Sequence, residues 1–456
     1  MIREIRDPVH GFIYRTSLEE TVIDTGIFQR LRSIKQLAMA SLVYPGALHT
    51  RFEHSLGVMH LAGKLCQQLL TDQDGIEQTR IVRLAALLHD IGHGPFSHVS
   101  ESVLEVFYDR EKIKPKATEK IHELLTCSLI RYSSELSKLI SENDKDYIIG
   151  LLMGTKGERL LKDMISGPLD ADKLDYLLRD SYFCGVKYGV YDLERLLSTF
   201  EKLEIDDGDD SIVAVSGDGI HSLEQFVLAK YYMTTQVYRH KIRLVTDAMI
   251  IRALTLGITT DRIEYLQRLY CFDNSEEHLE EWLRWNDEVL VTTICSAKTP
   301  DGYAKKIFMD LMNRKIFKRV FHLKLSELSP LVRDNLSDRK KFHAHVEQLE
   351  TEVGNFLGID PRLVIISTYK IQSVRQQSRN SEGSIMVIRP DRASPVAFEE
   401  ESTLFRSIDE AQKDEYLDVY ASVQFLDEKD KRTRRREYSD IIRSICEKNA
   451  AGITET

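Results

Sequence analysis

The stretch Leu-Leu-His-Asp-Ile-Gly-His-Gly-Pro-Phe-Ser-His, residues 87–98, ends an apolar helical segment with a histidine beside an aspartate. Neighbouring side chains on a helix point about 100° apart, so His89 and Asp90 cannot both serve core packing. Both can bend toward one cation at the helix end. Two glycines and a proline shape the backbone of 89–98, and the segment also holds two further histidines, His93 and His98. The stretch therefore predicts a metal site within a helical fold.

The composition is that of a soluble globular protein with more than one structural unit. The chain has 456 residues, a formal charge of -10 and 42% hydrophobic residues. We expect a cytoplasmic protein without membrane contact, because an apolar run of about 18 residues and a signal peptide are both missing. The six cysteines are scattered along the chain, so we expect them to be reduced thiols. The acidic balance makes nucleic acid a secondary partner at most, although local basic patches can hold phosphates.

Helical periodicity dominates up to about residue 330. Helices are predicted at 25–39, with Asp24 as N-cap, and at 50–71, 77–90, 97–108, 121–140, 146–153, 169–183, 192–201, 221–255 and 276–285. A hairpin is expected near 203–219. Later the pattern changes to a helix at 340–357 and β-type runs at 363–367 and 384–388, with the polar stretch 372–383 between the runs. The sequence predicts a mainly α body, 1–330, and a smaller α+β lobe, 331–456, that includes the charged run 427–437.

Additional groups with suitable chemistry occur on both sides of the His-Asp pair. Upstream, Arg51 and His54 lie three residues apart and share a helix face. Downstream, one predicted helix places three polar groups at spacing four, and further proton-transferring groups stand between; these are Asp172, Tyr176, Asp180, His93, His98 and the pair His122-Glu123. Each histidine alone is most simply a satisfied, partly buried residue. The density of such groups within 89–98 is what favours a site.

Five ordered motifs resemble the HD-domain deoxynucleoside triphosphate triphosphohydrolases. They occupy residues 7–11, 28–37, 51–57, 89–98 and 170–176, and the resemblance covers roughly 1–330. It is to the branch of the SAM-and-HD-domain enzyme, and we expect no SAM domain because the chain starts at the lead-in of the HD domain. The resemblance implies an HD-domain helical bundle with its core at about 50–185.

The resemblance implies a metal-dependent reaction in which water attacks the α-phosphorus of a dNTP, releasing a deoxynucleoside and inorganic triphosphate. Carried over by position, the metal ligands would be His54, His89, Asp90 and Asp172. Mn, Fe, Mg, Zn and Ni all accept such a donor set. His93, His98, His122 and Glu123 would be the catalytic proton-transfer and phosphate-contacting groups, with His98 preferred for protonating the leaving 5'-oxygen.

The same resemblance implies the contacts to the rest of the substrate. Arg51 and Lys173 match phosphate-binding positions, and Gln36 and Leu37 match a wall against the sugar that would exclude a 2'-hydroxyl. Tyr176, Asp180 and Tyr238 match the remaining sugar and base contacts. The chain departs from the family where Lys230 stands for an arginine and Thr234 for a histidine, which leaves base preference and the γ-phosphate contact open.

A second nucleotide site and an oligomer are also implied. Asp24, Gln29 and Arg32 match positions that read an activating nucleotide, GTP or a dNTP, at a subunit interface of relatives. A helix cap and solvent-facing polar residues explain them equally well. The resemblance predicts nucleotide-dependent assembly of identical chains into dimers or tetramers.

Two other functional classes stay open. One is an HD phosphohydrolase acting on a nucleotide monophosphate, a cyclic dinucleotide or an alarmone; it is disfavoured because no Gly-Tyr-Pro signature follows the His-Asp pair. The other is a nucleic-acid-binding regulator on an HD scaffold, using the basic run 431–436. The complete set of candidate metal ligands argues against such a regulator.

Overall fold

The structure is a computed structural model of the chain. It describes residues 3–70, 75–116, 119–205, 210–337, 339–370, 385–392, 394–405 and 415–452. The predicted polar stretch 372–383 and Ser384 lie outside the described residues.

Helices form most of the described chain. They are α1 Ser17–Ile23, α2 Gly26–Gln29, α3 Arg51–Leu69, α4 Gly75–Leu88, α5 His98–Phe107, α6 Ile121–Tyr132, α7 Ser134–Ser137, α8 Glu142–Leu152, α9 Arg159–Ser166, α10 Ala171–Cys184, α11 Leu193–Leu197, α12 Ile220–Tyr232, α13 Lys241–Thr259, α14 Glu264–Tyr270, α15 Glu276–Leu283, α16 Asp287–Cys295, α17 Tyr303–Met312, α18 Pro330–Ser337, α19 Arg339–Leu357, α20 Phe398–Glu401 and α21 Glu428–Gly452.

The strands form three small sheets. Their bounds are β1 Arg3–Asp7, β2 Gly11–Arg15, β3 Phe200–Ile205, β4 Asp210–Ser216, β5 Lys318–Lys324, β6 Val364–Lys370, β7 Met386–Ile388, β8 Val396–Ala397 and β9 Glu415–Ala421. β1 and β2 form an antiparallel hairpin. The other sheets have the orders β3-β4-β7-β8 and β5-β9-β6, and β7 lies parallel to β4. The prediction of a mainly α body with an α+β C-terminal part is confirmed.

Two apolar cores hold these elements together. The larger core fills the helical body, where α3 packs against α4 and α10. The smaller core lies between the sheet β5-β9-β6 and the helices α18, α19 and α21, with Leu349, Leu417 and Ile442 fully buried. Burying apolar surface contributes roughly 25 cal/mol per Å², so these faces stabilise the contacts between elements. None of the described helices combines the length and apolar character needed to cross a bilayer.

Four helix predictions were wrong in their extent. The predicted helix 192–201 is only α11, because strand β3 begins at Phe200. The predicted helix 25–39 is only α2 and a 3-10 turn, Arg30–Ser33, because Ile34 is extended and Lys35 pairs with Thr50. Asp24 is the C-cap of α1 and not an N-cap. The predicted helix 221–255 passes into a π-helix, Met233–Tyr238, and α13 begins afresh at Lys241.

The predicted helix 121–140 is interrupted at Ser133. This residue is extended and caps α7, accepting a hydrogen bond from the Leu136 backbone N–H through its hydroxyl. A side chain that caps a new helix competes with continuation of the preceding one. The elements that carry the candidate metal ligands, α3, α4 and α10, agree with the prediction within a few residues.

Candidate metal centre and active site

Three helix ends bring the candidate ligands together. α3 begins at Arg51, with a capping box between Thr50 and Glu53, so His54 lies in its first turn. α4 ends at Leu88, directly before His89 and Asp90. α10 is capped by Asp170, whose carboxylate accepts from the Lys173 backbone N–H, and Asp172 lies in the first turn. Capping explains why α3 and α10 begin at these points of the sequence.

The four predicted metal ligands converge on one point. His54 Nε2 lies 3.0 Å from Asp172 Oδ1 and 3.7 Å from Asp90 Oδ2. His89 Nε2 lies 3.3 Å from Asp90 Oδ1 and 3.9 Å from Asp172 Oδ1. Ligand atoms of His54, His89 and Asp172 all lie within 4.8 Å of one another, which makes them able to hold a metal ion. Mixed imidazole and carboxylate donors suit a divalent metal.

Both histidines present the nitrogen that a metal would need. Nδ1 of His54 is hydrogen-bonded to Asp175 Oδ2 at 2.8 Å, and Nδ1 of His89 to the Ala86 carbonyl at 2.7 Å. An acceptor at Nδ1 holds the N–H there and leaves a lone pair on Nε2. Both Nε2 atoms are buried and make no hydrogen bond with any group in the described part of the chain. The arrangement therefore fits a metal ion.

The charges in this centre favour ionised carboxylates. Burial raises the pKa of Asp90, but the Arg51 guanidinium and neighbouring imidazoles outweigh burial and hold the pKa well below its usual range. Burial also raises the pKa of Asp172, but the neighbouring imidazole of His54 outweighs burial and lowers this pKa to about 2. Burial lowers the pKa of His54, yet the carboxylates of Asp172 and Asp175 raise it to about 10, so a metal ion that binds Nε2 would displace a proton there. Asp90 and Asp172 are therefore ionised and can neutralise a bound cation.

A buried network behind His54 was missed by sequence reasoning. Asp175 is fully buried and binds His54 Nδ1, His10 Nε2 at 2.6 Å, and Arg179 Nε and Nη2 at 2.8 and 2.9 Å. Arg179 Nη1 continues the network to Asp7 Oδ2 at 2.8 Å. Asp7 is the last residue of β1, and His10 lies in the turn between β1 and β2. The signal was present, since two of the five motifs contain Asp7, His10 and Asp175.

A second cluster of imidazoles adjoins the first site. His93, His98 and His122 each place a ring nitrogen within 4.8 Å of the others. The rings of His93 and His122 stack at 4.1 Å, and His93 Nε2 lies 3.3 Å from Asp90 Oδ1. The predicted histidines are thus brought together beside the candidate ligands.

The carboxylate that binds His122 is that of Glu101, and not that of the adjacent Glu123 with which the sequence pairs this histidine. Glu101 Oε1 lies 2.5 Å from His122 Nδ1, whereas the nearest carboxylate oxygen of Glu123 to His122 Nε2 is 3.9 Å away. Glu123 instead caps α6, accepting from the Lys120 backbone N–H. Adjacent residues on a helix point apart, while Glu101 reaches His122 from α5. Glu101 stands three residues after His98, a helical spacing that could have revealed it.

The loop 91–97 is held in a conformation that its own sequence disfavours. Phe96 and Ser97 have φ of 63° and 53°, values that cost non-glycine residues free energy. Asp287 Oδ1 accepts from the Phe96 backbone N–H at 2.7 Å, and Arg30 Nη1 donates to the His93 carbonyl at 2.8 Å. At Gly94, a Cβ would overlap the ring of Trp282. Distant elements thus fix where His93 and His98 lie.

The two predicted phosphate-binding cations are buried and partly engaged. Arg51 Nε donates to Ser97 Oγ at 2.8 Å and Nη1 pairs with Asp90, while Nη2 is buried without a hydrogen-bond partner among the residues described. Lys173 Nζ pairs with Asp170 and donates to the Gly167 carbonyl at 2.9 Å. Nearby Lys230 is buried, and desolvation lowers its pKa to about 7.

The predicted sugar-contacting residues form a second wall. Asp180 Oδ2 accepts from Tyr238 Oη at 2.6 Å, and Asp180 Oδ1 lies 2.7 Å from His49 Nε2. The ring centroids of Tyr176 and Tyr238 are 6.2 Å apart. Gln36 and Leu37 are buried, and the Gln36 backbone N–H donates to the His49 carbonyl at 3.1 Å. His49 is the residue of this wall that the prediction lacked.

The three predicted effector residues lie near α2. Asp24 and Arg32 are exposed. Gln29 Nε2 donates to the Ile23 carbonyl at 2.8 Å, and its Oε1 accepts from Arg32 Nε at 2.7 Å. The Arg32 guanidinium also covers the Phe52 ring at 3.5 Å. These contacts belong to one chain, and the effector role and the assembly stay predictions.

Comparison with known proteins agrees with this geometry. The family model of the HD domain matches residues 51–178, the range that contains all four candidate ligands. A model described as the HD associated region matches residues 191–436. The chain belongs to the HD-domain phosphohydrolase family.

Individual relatives of this phosphohydrolase cover much of its length. An uncharacterized protein of Methanocaldococcus jannaschii is 30% identical over 407 residues, covering 87% of this chain and 75% of that protein. The deoxynucleoside triphosphate triphosphohydrolase SAMHD1 homolog of Dictyostelium discoideum is 33% identical, covering 69% of this chain but only 59% of the relative. A solved phosphohydrolase from Bacteroides thetaiotaomicron has 26% identity and a TM-score of 0.69, covering 92% of this chain and all of the other.

Proposed function

We propose that this phosphohydrolase converts dNTPs to deoxynucleoside and inorganic triphosphate, using a divalent metal ion held by His54, His89, Asp90 and Asp172. The proposal rests on the convergence of His54, His89 and Asp172, with Asp90 beside both imidazoles. The Nε2 atoms of the two histidines are buried and have no hydrogen-bond partner among the described residues. A divalent ion there would supply Lewis-acid polarisation of the phosphate and a lowered pKa for an attacking water. The relatives named as dNTP triphosphohydrolases support the choice of substrate.

The phosphate chain would meet the cations around the ligands. Arg51 is paired with Asp90, but its Nη2 has no hydrogen-bond partner among the described residues and could donate to a phosphate oxygen. The planar guanidinium group suits an anionic oxygen. Lys173 and Lys230 are also buried. A triphosphate entering this region would replace part of the charge that Asp170 now supplies to Lys173. Buried cations of this kind favour a ligand with several negative charges.

The imidazole cluster would handle the protons. Glu101 accepts the N–H of His122 Nδ1 and so leaves His122 Nε2 as a base. We assign His98 as the group that protonates the leaving 5'-oxygen, because its side chain is 55% exposed and can approach a ligand. His93 lies between this cluster and Asp90, where it would contact the phosphate. A leaving alkoxide needs such a positioned acid.

The wall of Gln36, Leu37, Tyr176, Asp180 and Tyr238 would receive the deoxyribose. Asp180 is fixed on both oxygens, by His49 and by Tyr238, so its orientation is set before a sugar arrives. A tight wall discriminates against an added hydroxyl when the larger group meets packed side chains. The expected preference is therefore for dNTPs over NTPs.

The first experiment incubates the pure protein with each dNTP and Mn²⁺ and measures the products. Inorganic triphosphate and deoxynucleoside are expected. Monophosphate, pyrophosphate or no product with every dNTP and nucleotide effector would contradict the proposal, and turnover of a monophosphate or cyclic dinucleotide would favour the alternative HD activity.

A second experiment separates ligand from proton donor. Asp172→Ala is expected to lose both bound metal and activity, whereas His98→Ala keeps the metal and slows the chemistry by about 10²–10⁴-fold. Elemental analysis of the purified variants measures the metal. Retention of metal by Asp172→Ala would refute the ligand assignment.

A further inference from the structure

The cluster His93, His98 and His122 has the donors of a transition-metal site distinct from the four-ligand centre. Each residue offers one ring nitrogen, and the three nitrogens lie within 4.8 Å of one another. Imidazole nitrogens bind Zn²⁺ at about 2.0–2.1 Å, and three histidines with one open position form a familiar zinc set. The cluster is therefore compact enough for small side-chain movements to enclose one ion.

The hydrogen bonds around the cluster leave lone pairs free. Glu101 Oε1 holds His122 through Nδ1, and Glu101 Oε2 lies 3.4 Å from His98 Nδ1. Both rings therefore keep Nε2 available. A carboxylate behind the imidazole is the arrangement that orients histidine ligands in metal sites.

A buried nitrogen of His93 without a hydrogen-bond partner among the described residues is a further sign of a bound cation. It is 1% exposed, and its Nδ1 is buried without a hydrogen bond to any of the described groups. Its Nε2 faces Asp90 Oδ1 at 3.3 Å. A buried polar nitrogen without a partner destabilises the fold, so a cation that accepted its lone pair would remove that cost.

We propose that His93, His98 and His122 bind a second, inhibitory Zn²⁺ ion. His98 closes the site on its solvent side, since its ring is half exposed and already packs edge-on against the other two rings. Zinc held there occupies the lone pairs that proton transfer requires, so the reaction stops while the four-ligand centre stays loaded. The inhibitory consequence rests on the proposed function, but the binding itself does not.

The donor set predicts which ions inhibit. Mg²⁺ prefers oxygen ligands in octahedral geometry, and an all-imidazole site offers it none. Zn²⁺ and other ions that accept imidazole suit the cluster. Millimolar Mg²⁺ is therefore expected to leave Mn²⁺-loaded protein unchanged, whereas micromolar Zn²⁺ abolishes turnover.

The decisive measurement is metal stoichiometry on the full chain. Protein loaded with Mn²⁺ is equilibrated with Zn²⁺, separated from free metal and analysed for both elements. One Mn and one Zn per chain is the expected result. Zinc replacing manganese, or one metal ion in total, would overturn the second site.

Variants assign the zinc to the cluster. His98→Gln, at a half-exposed position that the fold does not need, is expected to lose the zinc and keep the manganese. Glu101→Gln should weaken zinc binding about 10–100-fold, as loss of a carboxylate behind a ligand does elsewhere. Asp172→Ala should lose manganese and still bind one zinc.

The outcomes separate the two proposals. If two metals bind but no dNTP releases triphosphate, the proposed function fails and the zinc site stands. If triphosphate is released but His98→Gln binds zinc as tightly as the parent chain, the zinc site fails alone. Circular dichroism of each variant confirms that it is folded.

Discussion

Replacing Asp175 by Asn tests whether the buried network behind His54 sets the affinity of the metal centre. The Asp175 carboxylate accepts from three side chains, His54, His10 and Arg179, at 2.6–2.9 Å. An amide of the same shape keeps one oxygen and turns an NH₂ group toward donors. His54 then loses the acceptor that holds its proton on Nδ1, and its Nε2 lone pair is no longer guaranteed.

The expected loss follows from this change. Removal of a carboxylate behind a metal-bound histidine weakens metal binding about 10–100-fold, which is about 1.4–2.7 kcal/mol. Competition with a chelator of known affinity measures Mn²⁺ binding to Asp175→Asn and to the parent chain. The metal-free thermal midpoints show whether the substitution has altered the fold itself.

Asp180→Asn is the matched control. Asp180 lies on the same helix, is similarly buried and is also bonded to a histidine and a further side chain, but its partners are His49 and Tyr238. This variant should keep the parent affinity for Mn²⁺. The reasoning is refuted if Asp175→Asn binds Mn²⁺ as tightly as the control, or if both weaken equally.

Three further perturbations test the packing and electrostatics. Burial raises the pKa of Asp163 from 3.8 to about 6, so this side chain supports the fold below about pH 4 and that support is lost as pH rises through 6. The free energy of unfolding of Asp163→Asn, measured with urea, should therefore rise relative to that of the parent chain by up to about 3 kcal/mol between pH 4 and pH 8. A difference between the two proteins that does not change with pH would contradict this. Gly57→Ala places a Cβ against the Asp175 carboxylate and should cost about 1–3 kcal/mol of unfolding free energy, with weaker Mn²⁺ binding. An unchanged urea midpoint would count against that overlap. Burial lowers the pKa of Lys230 to about 7, so KM for a dNTP should rise as pH increases through 7, while Lys230→Arg keeps its charge and flattens the profile. Equal pH profiles for the two proteins would exclude Lys230 from phosphate binding.

Local sequence patterns were sufficient to predict the parts of the site that lie at the ends of regular helices. His54, His89 and Asp172 occur at helix ends that capping residues and apolar periodicity mark in the sequence, and the structure brings them together. The same reasoning failed for 25–39. There, the Lys35 backbone N–H donates to Asp287, which is far away along the chain. Lys35 also forms a β-bridge with Thr50, which lies across a loop.

The sequence analysis mainly missed hydrogen-bond partners that come from distant segments of the chain. Glu123 is next to His122 in sequence, yet the carboxylate that binds His122 belongs to Glu101 on another helix. His49 and Asp180 are 131 residues apart and 2.7 Å apart in space. Helix periodicity shows which residues share a face, but which face meets which depends on packing of the whole core.

The sequence by itself determined the helical character of the body, the positions of the helix ends near the ligands, and the chemistry of the His-Asp pair. These are local properties, set by side-chain periodicity, capping and donor type. Tertiary structure decided which carboxylate orients each imidazole, which cations are already paired, and that His93, His98 and His122 form a cluster of their own. Those properties arise from contacts between segments that only the packed core brings together, and residues 87–98 acquire their full environment only there.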